Sequence, residues 1–219
     1  MTSAGELENG HPTGLWLEEA ATPYYMFKNE GYKVIIASPK GGAAPIDANS
    51  FGEGMFTDYC KKFMHDGEAV GALCHTVKLD DVDLDSTDAL YMVGGHGTCV
   101  DFVNNPTLKN LVEQIYRAGK IVAADCHGVN ILAECTELDG ETPLLKDKLC
   151  TGFSSSEEVE VQLDTAIPFL IQEKFIELGA NYEAGPNWTS KVCVDGNLIT
   201  GQNPQSSEAC AAAVISALS

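Results

Sequence analysis

Short apolar runs alternate with amphipathic segments along this chain, and each run ends in a turn. YKVIIAS (32–38), DALYMVGGHG (88–97) and IVAAD (121–125) have the length and composition of buried strands. Between the last two, residues 106–120 place apolar side chains at helical spacing and end at Gly119. Strands that alternate with helices predict an α/β sandwich with a mostly parallel sheet.

The rest of the chain continues this alternation without a repeat or a linker. A chain of 219 residues is large enough for one hydrophobic core, so we predict a single domain over residues 1–219. The remaining predicted elements are a helix over 23–31 with Thr22 as its cap and Pro23 at its first position, a helix over 128–134, a strand over 148–153, a helix over 167–180, a hairpin over 190–201 with its turn at Asp195-Gly196, and a last helix from Pro204.

The charge balance excludes some classes of partner. The net charge is −19, from 13 basic and 32 acidic residues, and no basic cluster offsets it. Such a surface repels phosphate backbones and anionic lipids, so we expect neither nucleic-acid binding nor membrane association. The first residues lack the basic start and the apolar stretch of a signal peptide, which favours a cytoplasmic protein.

The cysteines and histidines show no pattern of a metal centre. The eight cysteines are scattered without a C-x-x-C pair, which suits a reducing compartment rather than a disulfide framework. The five histidines show neither H-x-x-x-H nor H-E-x-x-H spacing. The sequence therefore predicts no bound metal.

The run IVAADCHG (121–128) ends in the most informative turn. A cysteine between a buried strand and a helix is forced into a strained backbone conformation that exposes its sulfur, as in a nucleophile elbow. The start of the following helix favours the thiolate, and amides near Gly128 can bind an oxyanion. Cys126 is therefore a candidate nucleophile, although free cysteines are often simply part of a core.

The positions of the histidines limit the reactions that a nucleophilic Cys126 could support. Hydrolases with a related fold need a base histidine late in the chain, and this sequence has none after His127. Because His127 directly follows Cys126, we expect its ring to point at the sulfur only with difficulty and to need an acidic partner. Glu158 is placed for that role by the strand before it. The alternative is that residues 157, 158 and 160 form a solvated acidic helix face.

Six ordered sequence blocks resemble the ThiJ/PfpI superfamily, in particular the branch of heat-shock chaperones and glutathione-independent glyoxalases (glyoxalase III). The resemblance extends from about residue 12 to the end of the chain. The blocks are TGLWLEEAATPYYMF, GYKVIIASPKGGAAPID, LYMVGGHGTCVDF, GKIVAADCHGVNIL, TGFSSSEE and DGNLITGQNPQSS.

This resemblance implies a flavodoxin-like three-layer sandwich, usually a homodimer, with a Cys-His-Glu site. By position, Cys126 matches the nucleophile, His127 its adjacent histidine and Glu158 the third member. Glu19 matches a second glutamate that hydrogen-bonds the reactive sulfur in relatives, and we expect its neighbour Glu18 to face solvent. Two further residues are expected to supply backbone donors around the substrate oxygen, namely Gly95 and Gly128.

The implied activity is a cofactor-free lyase reaction on a small 2-oxoaldehyde. In it, methylglyoxal becomes D-lactate through a hemithioacetal on Cys126 and an enediol, with no metal. The alternative implied by the same branch is a stress-related holdase chaperone for unfolded proteins, or a redox sensor that uses the same cysteine.

The sequence departs from the superfamily pattern in three places. Asp125 stands where a small or apolar residue is usual, and a carboxylate pointing inward there would disfavour the thiolate. Val129 stands where proline is common. The chain also begins without the central first strand that precedes TSAGELENG in relatives, so we expect the loop before Glu19 to be less well anchored than theirs.

Overall fold

The computed structural model describes residues 1–219, with strands and helices in alternation. The strands are β1 (Ala37–Ser38), β2 (Val77–Lys78), β3 (Ala89–Met92), β4 (Ile121–Asp125), β5 (Leu149–Cys150), β6 (Asn181–Tyr182), β7 (Val192–Asp195) and β8 (Leu198–Gly201). The α-helices are α1 (Leu17–Asn29), α2 (Asp58–His65), α3 (Gly67–Cys74), α4 (Thr98–Asp101), α5 (Pro106–Arg117), α6 (Ser155–Glu160), α7 (Ile171–Glu177) and α8 (Ser207–Leu218).

A four-stranded sheet of order β3-β4-β8-β7 forms the centre of the molecule. The first three strands run parallel, and β7 is antiparallel to β8 through the predicted hairpin. Every residue of β4 is buried, as expected of a strand covered on both faces. Two short parallel pairs, β1-β2 and β5-β6, lie outside this sheet. The predicted, mostly parallel sheet is confirmed.

Helices cover both faces of the sheet. On one face α8 packs against β4 and β8, and α1 packs against α8. On the other face α5 packs against β4, and α7 packs against the 3₁₀ segment Cys126–Ala133. The largest core cluster lies on this second face, where Val122, Val129 and Leu132 are fully buried. The predicted three-layer sandwich is therefore observed.

An apolar cavity separates β1 from β3. It has a volume of about 510 Å³, and its lining includes Val34, Ile35 and Leu90. No strand of the chain joins the two sheets here. Ile35 is 54 % exposed. The predicted strand over 32–38 is consequently reduced to Ala37–Ser38, because residues before β1 lack a neighbouring strand with which to exchange backbone hydrogen bonds.

Several predicted element boundaries were wrong. The first helix begins at Leu17 and contains Pro23 in its interior, and Thr22 donates a hydrogen bond to Glu18 instead of capping the helix. The segment after Cys126 is a 3₁₀ helix, and the strand predicted over 148–153 has only two residues. None of the helices has both the length and the apolar composition of a membrane span.

Hydrogen bonds hold the start of the chain against the rest of the fold. The Met1 ammonium donates to the Ala37 carbonyl at 2.9 Å. The Thr2 hydroxyl and the Ser3 amide both donate to the Asp101 carboxylate, each at 2.7 Å. These hydrogen bonds tie the first three residues to β1 and α4, and weaker anchoring than in relatives stays a prediction.

Candidate active site

Cys126 occupies a strained turn directly after β4. Its φ of 54° lies in the left-handed region that non-glycine residues rarely adopt. The predicted strand-to-turn placement is therefore observed. The residue is only 4 % exposed, so its sulfur lies within the protein rather than on an open surface. Backbone strain at a buried nucleophilic side chain is typical of functional sites.

The ring of His127 points at the sulfur of the preceding residue. Its Nδ1 lies 3.3 Å from Cys126 Sγ. We expected adjacent residues to reach each other only with difficulty, and that expectation was wrong because the left-handed turn at Cys126 brings the two side chains to the same side. The amides of Gly95 and His127 also donate to the sulfur.

Glu158 accepts a hydrogen bond on the other side of the His127 ring. Its Oε2 lies 2.6 Å from His127 Nε2, and its side chain is 2 % exposed. A capping box between Ser154 and Glu157 fixes the start of α6, the helix that carries it. Glu157 is itself buried, and its carboxylate accepts hydrogen bonds from Trp188, Gln202 and Asn203. The interpretation of residues 157 and 158 as a solvated acidic face was therefore wrong.

A second imidazole, His96, binds the same carboxylate. Its Nε2 lies 2.8 Å from Glu158 Oε1, and its ring centroid is 4.0 Å from that of His127. His96 was not predicted from the sequence. The signal was present in the turn GGHG, because β3 pairs with β4 and the ends of neighbouring parallel strands lie together. Together the three side chains form a histidine–carboxylate–histidine cluster that could hold a metal ion.

The two histidines determine the protonation of Glu158. Burial alone would raise the pKa of this carboxyl, but the charge and hydrogen bonds of His127 and His96 outweigh it and hold its pKa well below the usual range. Burial lowers the pKa of His127, with a further contribution from the charge of His96, while Glu158 opposes this shift. The resting state is therefore an ionised Glu158 that holds a neutral His127.

Glu19 lies on α1, and its environment favours the protonated carboxyl, unlike that of Glu158. Its side chain is fully buried, and Oε2 accepts a hydrogen bond from the Gly94 amide at 2.7 Å. Its other oxygen, Oε1, has no protein hydrogen-bond donor in good geometry. Burial, together with the charge of Asp125, raises the pKa of Glu19 well above its usual value. This carboxyl is therefore disposed to carry a proton.

The sulfur itself is held as a thiol rather than a thiolate. Burial raises the pKa of Cys126 well above its ordinary value, and the charge of Glu19 raises it further once that carboxyl ionises. The amides of Gly95 and His127 act in the other direction but are outweighed. We expected the following helix to favour the thiolate, and this expectation was wrong for the resting state of the site. Deprotonation of Cys126 therefore needs a base.

Glu18 does not face solvent as expected. Its Oε1 accepts a hydrogen bond from Thr22 at 2.6 Å, and its Oε2 accepts from Thr57 and from the Cys60 thiol. These contacts tie α1 to α2. Glu18 therefore positions the helix that carries Glu19.

Asp125 points into the core beside the elbow. It is fully buried, and its Oδ2 accepts a hydrogen bond from the Tyr91 hydroxyl. Burial raises its pKa to about 6. Its charge raises the pKa of Glu19, so this departure from the superfamily pattern acts on the second carboxyl of the site.

Gly95 and Gly128 have different structural requirements. Gly95 adopts a φ of 96°, and its amide donates to the Cys126 sulfur. A β-carbon on Gly128 would lie 2.3 Å from the Met92 carbonyl oxygen, so close packing of the elbow against β3 requires glycine there. The substrate-binding role that we expect for both glycines stays a prediction.

The model of the DJ-1/PfpI family matches residues 14–217 of the chain. The protein belongs to the DJ-1/PfpI family. Glyoxalase 3 of Candida albicans is 29 % identical over 99 % of this chain and 95 % of its own length. The glutathione-independent glyoxalase HSP31 of Saccharomyces cerevisiae is also 29 % identical, over 96 % of this chain and 91 % of its own length. The resemblance to the glyoxalase III branch is thus confirmed.

Two solved structures superimpose along 99–100 % of this chain. The Rapid Encystment Protein of 24 kDa from Francisella tularensis is 36 % identical, with a TM-score of 0.94 over all of this chain and 96 % of that one. The glyoxalase III structure from C. albicans gives a TM-score of 0.88 at 28 % identity, over 99 % of this chain and 94 % of that one. The predicted flavodoxin-like fold of this family is therefore confirmed.

Proposed function

We propose that this protein is a glutathione-independent glyoxalase that converts methylglyoxal and water into lactate. The observation that carries the proposal is an unbroken chain of contacts from the sulfur to a buried carboxylate. Cys126 Sγ lies 3.3 Å from His127 Nδ1, and His127 Nε2 lies 2.6 Å from Glu158. The C. albicans and S. cerevisiae relatives named as glyoxalases support the substrate class.

The first step is addition of the sulfur to the aldehyde carbon, C1. His127 Nδ1 takes the thiol proton, and the ionised Glu158 stabilises the imidazolium that forms. Glu19 gives its proton to the aldehyde oxygen. The new S–C1 bond and the C1 hydroxyl make a neutral hemithioacetal, which leaves Glu19 as a carboxylate and His127 as a cation.

The second step moves a hydrogen from C1 to C2. The Glu19 carboxylate removes the C1 proton, and the electron pair passes to the C2 carbonyl oxygen, which takes a proton from His127 to give an enediol. Glu19 then returns its proton to C2, while the C1 hydroxyl proton goes to His127. C1 is thereby oxidised to a thioester and C2 is reduced to an alcohol, without a cofactor.

Hydrolysis completes the cycle. Water adds to the thioester carbon, and its proton passes to Glu19. The S–C1 bond breaks, and the sulfur recovers its proton from His127. The products are lactic acid and the resting enzyme, with Cys126 as a thiol and Glu19 protonated. The D enantiomer is the product that the glyoxalase III branch implies.

A lactate assay without glutathione tests this function. Wild type is expected to form lactate from methylglyoxal, with the enantiomer identified by a stereospecific lactate dehydrogenase, and Cys126→Ala is expected to form none above the uncatalysed rate. Cys193→Ala is the matched control, because it removes another buried cysteine, on β7. Lactate formation by Cys126→Ala at the wild-type rate would refute the proposal.

Holdase activity is a second candidate, favoured by the apolar cavity between β1 and β3. A cavity of about 510 Å³ with Ile35 54 % exposed at its lining is suited to an apolar segment of an unfolded protein. Suppression of aggregation of a denatured client is expected in Cys126→Ala as in wild type, and is expected to fall in Ile35→Asp. Equal suppression by Ile35→Asp would contradict a role for this cavity.

A further inference from the structure

His96 is a buried nitrogen ligand that the proposed reaction does not use. Its Nε2, the Nε2 of His127 and the carboxylate of Glu158 lie within 4.8 Å of one another, and the three side chains are nine-tenths or more buried. A single hydrogen bond from His127 would suffice to orient Glu158 for the proton transfers described above. The second imidazole completes a different kind of site.

Two imidazoles and a carboxylate are a ligand set suited to a divalent transition metal. Zinc binds such nitrogens at about 2.0–2.1 Å and such oxygens at about 2.0–2.2 Å, in tetrahedral geometry with ligand atoms about 3.3 Å apart. To reach that geometry, the separations of 2.8 Å and 2.6 Å from the Glu158 oxygens to the two rings need to lengthen, and the widest separation in the cluster, which is within 4.8 Å, needs to shorten, each by at most about 1.5 Å.

The surroundings favour metal binding by the three-residue cluster without the neighbouring sulfur as a ligand. Cys126 lies at Nδ1 of His127, whereas the cluster uses Nε2, so the sulfur is on the opposite edge of the ring. The ring of Phe153 packs 4.7 Å from His127 and 6.0 Å from His96 between centroids. An aromatic wall beside the ligands excludes water and strengthens the attraction of a cation to Glu158.

We propose that His96, His127 and Glu158 form a binding site for a divalent transition metal, with Zn²⁺ as its representative, and that the bound metal inhibits the enzyme. A metal ion on His127 Nε2 and on Glu158 would occupy the two groups that now face each other at 2.6 Å, and it leaves Nδ1, which faces Cys126, as the only ring nitrogen that can hold the imidazole proton. His127 then has no lone pair for the thiol proton. The inhibition rests on the proposed function, whereas the metal binding does not.

A binding measurement without substrate tests the site directly. Zn²⁺ is titrated against a chromophoric chelator in the full chain carrying Cys74→Ser, because Cys74 is the exposed cysteine and adjoins exposed His75. One Zn²⁺ per chain is expected. His96→Asn and Glu158→Gln are each expected to weaken binding by roughly 100-fold or more, since loss of even an outer-shell partner costs about 10–100-fold.

Two variants distinguish this site from other Zn²⁺ sites that would use Cys126 or an exposed histidine. Cys126→Ser is expected to retain the affinity within about threefold, because the sulfur is not a ligand in this arrangement. His11→Asn is the matched control for His96→Asn, because His11 is exposed. Circular dichroism and thermal melts establish that each variant is folded, and Glu158→Gln serves as the test if His96→Asn is not.

Three results would overturn the metal site. These are no stoichiometric Zn²⁺ binding by the starting protein, unchanged affinity in folded His96→Asn and Glu158→Gln, and loss of affinity in Cys126→Ser. In the lactate assay, inhibition is expected to follow the binding curve and to reverse with a chelator. Binding without inhibition would refute the inhibitory role alone, and absence of lactate formation in metal-free wild type would refute the proposed function alone.

Discussion

Two buried glutamates flank the same cysteine, and their surroundings give them opposite protonation states. Glu158 accepts hydrogen bonds from two imidazoles, which hold its pKa well below the usual range despite burial. Glu19 has one backbone amide as a donor, and burial together with the charge of Asp125 raises its pKa. Residue type and depth therefore do not determine the role of a carboxyl, because its nearest charged neighbours do.

This difference gives the two carboxyl groups different roles in the proposed reaction. In that reaction, Glu158 is a fixed negative charge that stabilises a cationic His127, whereas Glu19 is a proton carrier close to the sulfur. A reaction that moves protons to and from two carbon atoms needs both kinds of group. The predictions below change one side of the sulfur at a time.

The largest effect is expected from the Glu158 side. Glu158→Gln keeps the shape of the side chain but removes the charge that stabilises the His127 cation, so kcat/KM for methylglyoxal is expected to fall by about 10²–10⁴-fold. Steady-state kinetics without glutathione measure this effect. Glu160→Gln is the matched control on the same helix, since residue 160 is exposed. A Glu158→Gln enzyme within threefold of that control would remove Glu158 from the mechanism.

A smaller effect is expected on the reactivity of the Cys126 thiol. Its sign is expected to differ between substitution of Glu19 and substitution of Glu158. At alkaline pH, where Glu19 is ionised, its charge raises the pKa of Cys126, so Glu19→Gln is expected there to lower that pKa and to speed alkylation by iodoacetamide about tenfold for one pKa unit. Glu158→Gln is expected to slow alkylation, because His127 becomes a weaker base. Mass spectrometry of the Cys126 peptide across pH measures both rates. A change of the same sign in the two variants would contradict opposite effects of Glu19 and Glu158 on Cys126.

The smallest effect is a pH-dependent change in stability at Asp125. Its pKa in the folded protein is about 6, above the ordinary 3.8, so its ionisation destabilises the fold above pH 6 and this cost disappears as pH falls towards 3.8. The shift corresponds to at most about 3 kcal/mol. Asp125→Asn is therefore expected to raise Tm by about 2–8 °C at pH 8.

The pH dependence provides the control for that stability measurement. The advantage of Asp125→Asn over wild type is expected to shrink steadily between pH 6 and pH 4 in calorimetric melts. An advantage that is equal at pH 8 and pH 4 would show that the substitution acts through packing against Tyr91 rather than through the charge. Such a result would also remove Asp125 as the charge that raises the pKa of Glu19.

The sequence predicted the elements whose signals are local and periodic. The helix α5, the strand β4 and the hairpin β7-β8 were predicted within a few residues, because apolar spacing and the Asp195-Gly196 turn determine them. The strand over 32–38 was predicted too long, since propensity cannot create the neighbouring strand that it needs. The first helix was predicted too short, because Pro23 was read as a start rather than as an interior residue.

At the site, the sequence and the resemblance identified four side chains that the fold brings together, but not their protonation. Cys126, His127 and Glu158 form the expected chain of contacts, and Glu19 lies beside the sulfur. The missed residue was His96, whose role depends on β3 lying next to β4. The thiol state of Cys126 was also missed, because it follows from burial of the sulfur, which only the folded chain provides.

The different roles of the two glutamates depend on their protonation at neutral pH, which difference infrared spectroscopy measures directly. Wild type minus Glu19→Gln at pH 7 is predicted to show the carbonyl band of one protonated carboxyl. Wild type minus Glu158→Gln is predicted to show only the bands of an ionised carboxylate. A protonated band in the Glu158 difference, or its absence from the Glu19 difference, would contradict the assignment of roles on the two sides of Cys126.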